Sequence, residues 1–357
     1  MLTTLDDLLT HQTFDTHDRV FMDDPRWTER FIIEVHDRAG EVLMHSGLGI
    51  YPNTRYMDGF AVVWQGGEQR NLRVGRELGD DRWRLGAGPL AFEIVDPLRT
   101  WRMTCAPGAH GFSFDLTFER RTQAYQMPTQ KIERDGFLLV GYSHFVQAGT
   151  YSGWFEVDGR RHDATGWTGE RDRSWGVRPA SARVRRGLHT WLPMQWDDLS
   201  IWIWTHDDQA GEQDGLCGAI RPVAAGPDEE PGPPIPVTSY QQDLEVELIG
   251  PHRVLTGAKL RIGGADGSVW EIDVEPMAPL MSIIGGGYGG EHAQGTPKGE
   301  LYVEHERWST DPESFAAIPH SILERSCVFT RSDGAVGHGE FELCIGRHDR
   351  LGLGPID

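Results

Sequence analysis

Lysine is nearly absent from this chain of 357 residues, occurring only at positions 131, 259 and 298. Chemistry that needs an amine, such as Schiff-base formation, therefore has few candidates. Positive charge is outweighed overall: 34 Lys and Arg stand against 54 Asp and Glu, for a formal net charge of −20. That balance excludes nucleic acid as a partner, since phosphate binding needs clustered cations, and argues against adsorption to anionic membranes. The four cysteines, Cys105, Cys217, Cys327 and Cys344, show no metal or redox spacing and read as buried structural thiols. No apolar run approaches the length of a membrane span, so no stable membrane insertion is expected. The first residues, Met1 to Leu9, carry no basic segment followed by an apolar one, and the expected location is cytoplasmic.

What the chain does have is glycine, 44 residues of it, and short apolar alternations. Phe112, Phe114, Leu116 and Phe118 point one way while Ser113, Asp115, Thr117 and Glu119 point the other. Phe31–His36 and Val42–Met44 flank Asp37-Arg-Ala-Gly-Glu41 as a hairpin. Further strands are expected at 60–64, 90–95, 100–104, 137–146 and 151–157. A second series follows at 191–204, 244–248, 258–262, 270–274, 301–308, 323–330 and 338–345. Ile201-Trp-Ile-Trp204 is apolar without a break, as a strand buried on both faces would be. Helix is expected only at residues 3–12 and after the cap Asp311-Pro-Glu313. The pattern is all-β, with turns at steady spacing, as in a barrel or sandwich.

Several motifs fail on their context. Gly285-Gly-Gly-Tyr-Gly-Gly290 has dinucleotide-fingerprint spacing but no βαβ surroundings, and reads as a mobile loop or lid. No phosphate loop, zinc-protease helix or nucleophile elbow is present. No cofactor and no metal site is expected.

The two halves meet near Gly166-Trp-Thr-Gly-Glu-Arg-Asp-Arg-Ser-Trp-Gly-Val-Arg-Pro179, which sets two Trp among three Arg, an Asp and a Glu. Large aromatics avoid water and plain core strands avoid charge, so this segment should have one apolar and one polar neighbour. The run Glu170 to Gly176 resembles the signature of the lipocalin-like superfamily that contains carotenoid 1,2-hydratase, an aromatic-His-Asp-His-Asn-Trp-Gly sequence. Its Arg-Asp-Arg-Ser-Trp-Gly-Val-Arg form looks closer to a large bacterial branch of that superfamily. Gly47-Leu-Gly-Ile-Tyr-Pro-Asn53, Gly88-Pro-Leu90, Gln147-Ala-Gly149 and Gly337-His-Gly-Glu340 fit the same branch. The sequence departs from the hydratase at Glu170, Arg171, Arg173 and Ser174 and shares Asp172, Trp175 and Gly176. The resemblance implies two tandem lipocalin-like antiparallel β-barrel domains, expected at 1–185 and 186–357.

It also implies a role for Asp172, which matches the hydratase proton donor. An acid that protonates carbon must still hold its proton, and burial against Trp167 and Trp175 would favour that. Arg171 and Arg173 would oppose it unless the segment is extended, when their side chains turn to the other face. Two readings stand: a buried Arg–Asp network locking the halves together, or an acid in a cavity. In the second, Glu170 or His189 is the proton partner. Trp167, Trp175, Arg171, Trp191, Tyr51 and Asn53 are then the candidate ligand contacts, the last two in a Gly-rich turn. The enzyme reading is a hydratase, dehydratase or isomerase acting on a hydrophobic unsaturated molecule such as a terpenoid, steroid or lipid. The alternatives are a non-catalytic carrier or sensor of such a ligand and, further off, a carbohydrate-active protein. Exposed strand edges permit a homodimer.

Overall fold

The computed structural model describes residue 7 and residues 22–79, 84–178, 187–224, 226 and 229–356. The helix expected at 3–12 lies outside the described residues except for Asp7. Alternation turns into strands as expected. The first part of the chain forms β1 (Trp27–His36), β2 (Val42–Tyr51), β3 (Tyr56–Gln65), β4 (Glu68–Glu77), β5 (Gly86–Ala87), β6 (Leu90–Asp96) and β7 (Thr100–Cys105). It continues through β8 (Phe112–Arg120), β9 (Tyr125–Gln126), β10 (Gln130–Arg134), β11 (Phe137–Val157), β12 (Arg160–Asp163) and β13 (Trp167–Val177). The rest forms β14 (Leu188–Gln195), β15 (Leu199–Asp207), β16 (Gln213–Pro222), β17 (Ile235–Ile249), β18 (His252–Gly264), β19 (Val269–Ser282), β20 (Leu301–Ser309), β21 (Leu323–Arg331) and β22 (Val336–Ile345). One short helix, α1 (Pro312–Phe315), starts where Asp311 caps the amides of Glu313 and Ser314.

All pairing is antiparallel. The first sheet runs β20-β4-β3-β2-β1-β13-β11-β8-β7-β6-β5, with β9, β10 and β12 attached to β11. It curls until β5 lies against β3 and β4, which nearly closes it. The second unit is a closed barrel in the order β14-β15-β16-β17-β18-β19-β21-β22, with β22 returning to β14. β20 comes from the expected second domain, 186–357, yet adds to the first sheet beside β4. No helix among the described residues is long and apolar enough to cross a membrane.

Both barrel interiors are filled. Phe31, Trp101, Phe112, Phe114, Phe118, Tyr151 and Phe155 pack the first; Leu192, Trp196, Ile201, Ile203, Phe329 and Phe341 pack the second. The apolar run in β15 is buried on both faces at Ile201, Trp202 and Ile203, while Trp204 is only partly buried. Ile201 and Ile203 enter the barrel core, while Trp202 joins a cluster at the seam between the barrels.

Two glycine segments show how closely the strands approach. Gly47-Leu-Gly-Ile-Tyr51 is strand rather than the turn its glycines suggest. A Cβ at Gly47 would sit 2.4 Å from Ile32 Cδ1, and one at Gly49 would sit 2.6 Å from the Tyr51 hydroxyl. At Gly169 of β13 a Cβ would lie 1.8 Å from the backbone oxygen of Glu34 in β1. Neither backbone can yield there, so Gly169→Ala is expected to cost on the order of 1–3 kcal/mol. A lower urea midpoint at unchanged m-value would register it.

Candidate active site at the seam between the barrels

β13 lies between β1 and β11, and its alternate side chains face two different places. Odd positions enter the first barrel. Arg171 is fully buried there, with Nη1 2.8 and 2.9 Å from the two carboxylate oxygens of Asp7. Its other nitrogens donate to Gln147 Oε1, and its guanidinium lies 4.2 Å from the centre of the Trp101 ring. Arg173 pairs with Glu29 and stacks on Phe31. Trp167 packs on Phe155 and Trp175 on Phe145.

Alternation that removes the arginines from Asp172 therefore removes the two tryptophans as well. They are not the walls expected around it, and Arg171 is a core ion pair rather than a ligand contact. Asn53 is corrected too. Asn53 donates to the carbonyls of Met22 and Asp24, each at 2.8 Å, and fixes the chain ahead of β1. Tyr51 is buried against Asp58.

Even positions of β13 face the second barrel. Glu170 and Asp172 do share that face, but Glu170 is held by the second barrel. Arg221 of β16 pairs with it, Nη2 to Oε2 at 2.9 Å, and also donates to Ser200 Oγ at 2.6 Å. Burial pushes the Glu170 carboxyl up against the pull of Arg221. Asp172 Oδ2 lies 3.1 Å from Nε2 of His144 on β11. Burial opposes its charge, but His144, Arg178 and Arg30 together hold it below the usual carboxylate range. These neighbours favour the charged form of Asp172 over the proton-holding form expected of an acid.

The carboxyl pushed toward its neutral form is that of Glu34 in β1. Burial first, then the charges of Glu340, Glu170, Glu342 and Asp172, raise its carboxyl well above the ordinary range. Trp191 of β14 links the two carboxyls. Its Nε1 donates to Glu34 Oε1 at 3.1 Å, and its ring stacks on His144 with centroids 5.1 Å apart. Glu34 Oε2 and Asp172 Oδ1 are buried without a hydrogen-bond partner.

Beyond Glu34 the polar face continues. His45 of β2 is hydrogen-bonded to Glu340 of β22 and lies 3.9 Å from Glu324 of β21. Glu324 stands beside Glu342 in the ladder, and burial with the Glu342 charge pushes its carboxyl well up. His189 makes its contact at the far rim, Nε2 to Glu342 Oε1 at 2.6 Å, rather than with Asp172.

Apolar clusters flank this face. One side has Ile32, Phe60, Val62, Met281 and Ile283; the other has Met127, Val146, Trp191 and Trp202. The Gly-rich 285–290 segment, expected as a mobile loop, packs here with Tyr288 edge-on to Phe60 and 5.0 Å below Arg30.

Glu34, His144, His45, Glu324 and Arg30 were not singled out by sequence, and Glu340 and Glu342, whose alternation with Phe341 and Leu343 suggested a solvent-facing or lumen-facing row, are instead buried and half-buried at the seam. The readable signal was charge interrupting apolar strands, as in Phe31-Ile-Ile-Glu-Val-His36.

Two packed antiparallel barrels with a charged, buried seam define a tandem lipocalin-like protein. The fold is shared with a solved structure, a candidate AttH from Nitrosomonas europaea, at a TM-score of 0.56 and 10% identity over 90% of this chain and 93% of that one. The chain belongs to a family of unknown function, DUF8625, whose description matches residues 2–354. More distant structures include kievitone hydratase from Nectria haematococca, with TM-score 0.45, 10% identity, and 97% and 93% coverage of this and that chain. CghA has TM-score 0.49, 11% identity, and 90% and 89% coverage. No curated protein matches the sequence.

Proposed function

We propose that this chain binds a hydrophobic unsaturated molecule of terpenoid, steroid or lipid type at the seam and hydrates, dehydrates or isomerises it by carboxyl acid catalysis. One observation carries the reading. Two carboxyls on one sheet face, Glu34 buried and Asp172 largely so, are joined through Trp191 and shifted in opposite directions, and each keeps an unpartnered oxygen. Environments that push two titratable groups apart assign acid and base.

Glu34 donates its proton to an alkene carbon. Trp191 and Tyr288 offer ring faces to the positive charge that forms. Asp172 and His144 take a proton from the attacking water in hydration, or from the neighbouring carbon in isomerisation; dehydration runs the same steps backwards. The seam is the proposed place for the ligand, since apolar clusters flank the two carboxyls there. A glycosidase would need its carboxyls across an open cleft, whereas Glu34 is buried and Asp172 only slightly exposed. The narrower tie to carotenoid 1,2-hydratase rests on Asp172, Trp175 and Gly176 alone.

The test uses water enriched in heavy oxygen and a lipid extract of the source organism. Mass spectrometry follows bound molecules and label with wild type, Asp172→Asn and Glu34→Gln. Label should enter a product with wild type, and Asp172→Asn should lower the rate about 100-fold or more while ligand is retained. Lipid held equally by all three proteins, with neither label nor isomerised product, would instead establish a carrier.

A further inference from the structure

We propose that His45, Glu324 and Glu340 form a binding site for one first-row divalent cation that pins the two barrels together. Nε2 of His45 and one oxygen from each carboxylate all lie within 4.8 Å of one another, and all three residues are buried. His45 comes from β2 of the first barrel, and the carboxylates come from β21 and β22 of the second. The His45–Glu324 pair is 3.9 Å apart. An ion about 2.1 Å from each donor spans such a separation with little movement. One imidazole and two carboxylates suit Zn²⁺ or Mn²⁺ better than Mg²⁺, which prefers an all-oxygen octahedron.

A second observation points the same way. Glu340 Oε1 has no hydrogen-bond donor, although its side chain is 1% exposed. A buried carboxylate oxygen without a donor is costly, and a cation is the strongest partner it can gain. The surroundings are rich in carboxyls: Glu34 and Glu342 interact with Glu324 and Glu340, and the imidazoles of His36 and His189 are drawn into the group.

The site rests on this geometry and not on the acid reading, and the two make opposite demands. A cation beside Glu340 cancels the negative charge that helps Glu34 keep its proton, so loading should slow acid catalysis rather than drive it. Binding is therefore measured without substrate.

The full chain is stripped with chelator and dialysed against Zn²⁺ or Mn²⁺, and bound metal is counted by mass spectrometry. One equivalent is expected on wild type, and Mn²⁺ should give an immobilised electron paramagnetic resonance signal. His45→Ala and the near-isosteric Glu340→Gln should each weaken binding at least tenfold. His206→Ala, which removes an exposed pair with Asp214, should leave it unchanged. Folded wild type with no bound metal, or equal binding by folded Glu340→Gln, would overturn the proposal.

Discussion

Arg221→Met is expected to destabilise the protein by about 3–5 kcal/mol, because it strands Glu170 as a buried charge without its partner. The pair is fully enclosed, with Arg221 0% and Glu170 1% exposed, and it joins β16 of one barrel to β13 of the other. The cost should fall on the seam before either core, since both lumens are packed independently of it. Chemical denaturation followed by tryptophan fluorescence should show a lowered midpoint, with Trp191 and Trp202 exposed first. Arg221→Met combined with Glu170→Gln should recover most of the loss, because hydrophobic or neutral replacement of both partners leaves no unpaired charge. Equal destabilisation by the single and double variants would show that packing, rather than the ion pair, matters at this point.

Glu34→Gln carries the largest expected effect on turnover, a loss of about 10²–10⁴-fold, since the amide keeps the shape and removes the transferable proton. Binding should change little, because Trp191 Nε1 can still donate to the amide oxygen. Stability should move in a defined direction. The folded carboxyl binds its proton more tightly than the unfolded one, whose ordinary value is 4.5. The stabilisation is therefore full below about 4.5 and lost as pH rises through the folded value. Glu34→Gln should flatten that decline and match or exceed wild type at pH 8. Glu324, raised for similar reasons, contributes a slope of the same sign, so the decline should shrink rather than vanish. The groups setting this dependence are Glu340 and Glu342 of β22 and Glu170 and Asp172 of β13. Unchanged activity in Glu34→Gln would remove the residue from the mechanism.

The tandem β architecture was legible because alternation is local: each strand shows its two faces within its own residues. The apolar faces of Phe112–Phe118 and of Ile201–Ile203 were read with their burial correct, while Trp204 is only partly buried. The 166–179 stretch was rightly taken as the pivot, since β13 carries both the core ion pairs and the seam carboxylates. Its faces were misassigned because alternation was applied to the arginines and not to Trp167 and Trp175. β4 escaped notice altogether: Gln69, Arg70, Asn71 and Arg73 are buried polar residues, and their pattern resembles a surface strand.

Glu34 and His144 were not legible as partners of Asp172 for a different reason. They come from β1 and β11, the neighbours of β13, and only register sets Ile32 and Val146 beside Asp172. A single sequence records which strands exist, but not which charges their pairing brings together. The same holds for β20, whose alternating charges do not reveal that it leaves its own half for β4.

The most direct test of the account is the protonation state of Glu34 itself. Carbon-13 labelling of glutamate carboxyls, with Glu34→Gln to assign the resonance, follows its titration by nuclear magnetic resonance in the ligand-free, cation-free protein. The account requires a carboxyl still protonated at neutral pH beside an Asp172 that stays ionised well into acid. A Glu34 resonance that titrates near 4.5 would contradict it, because the seam would then hold no acid.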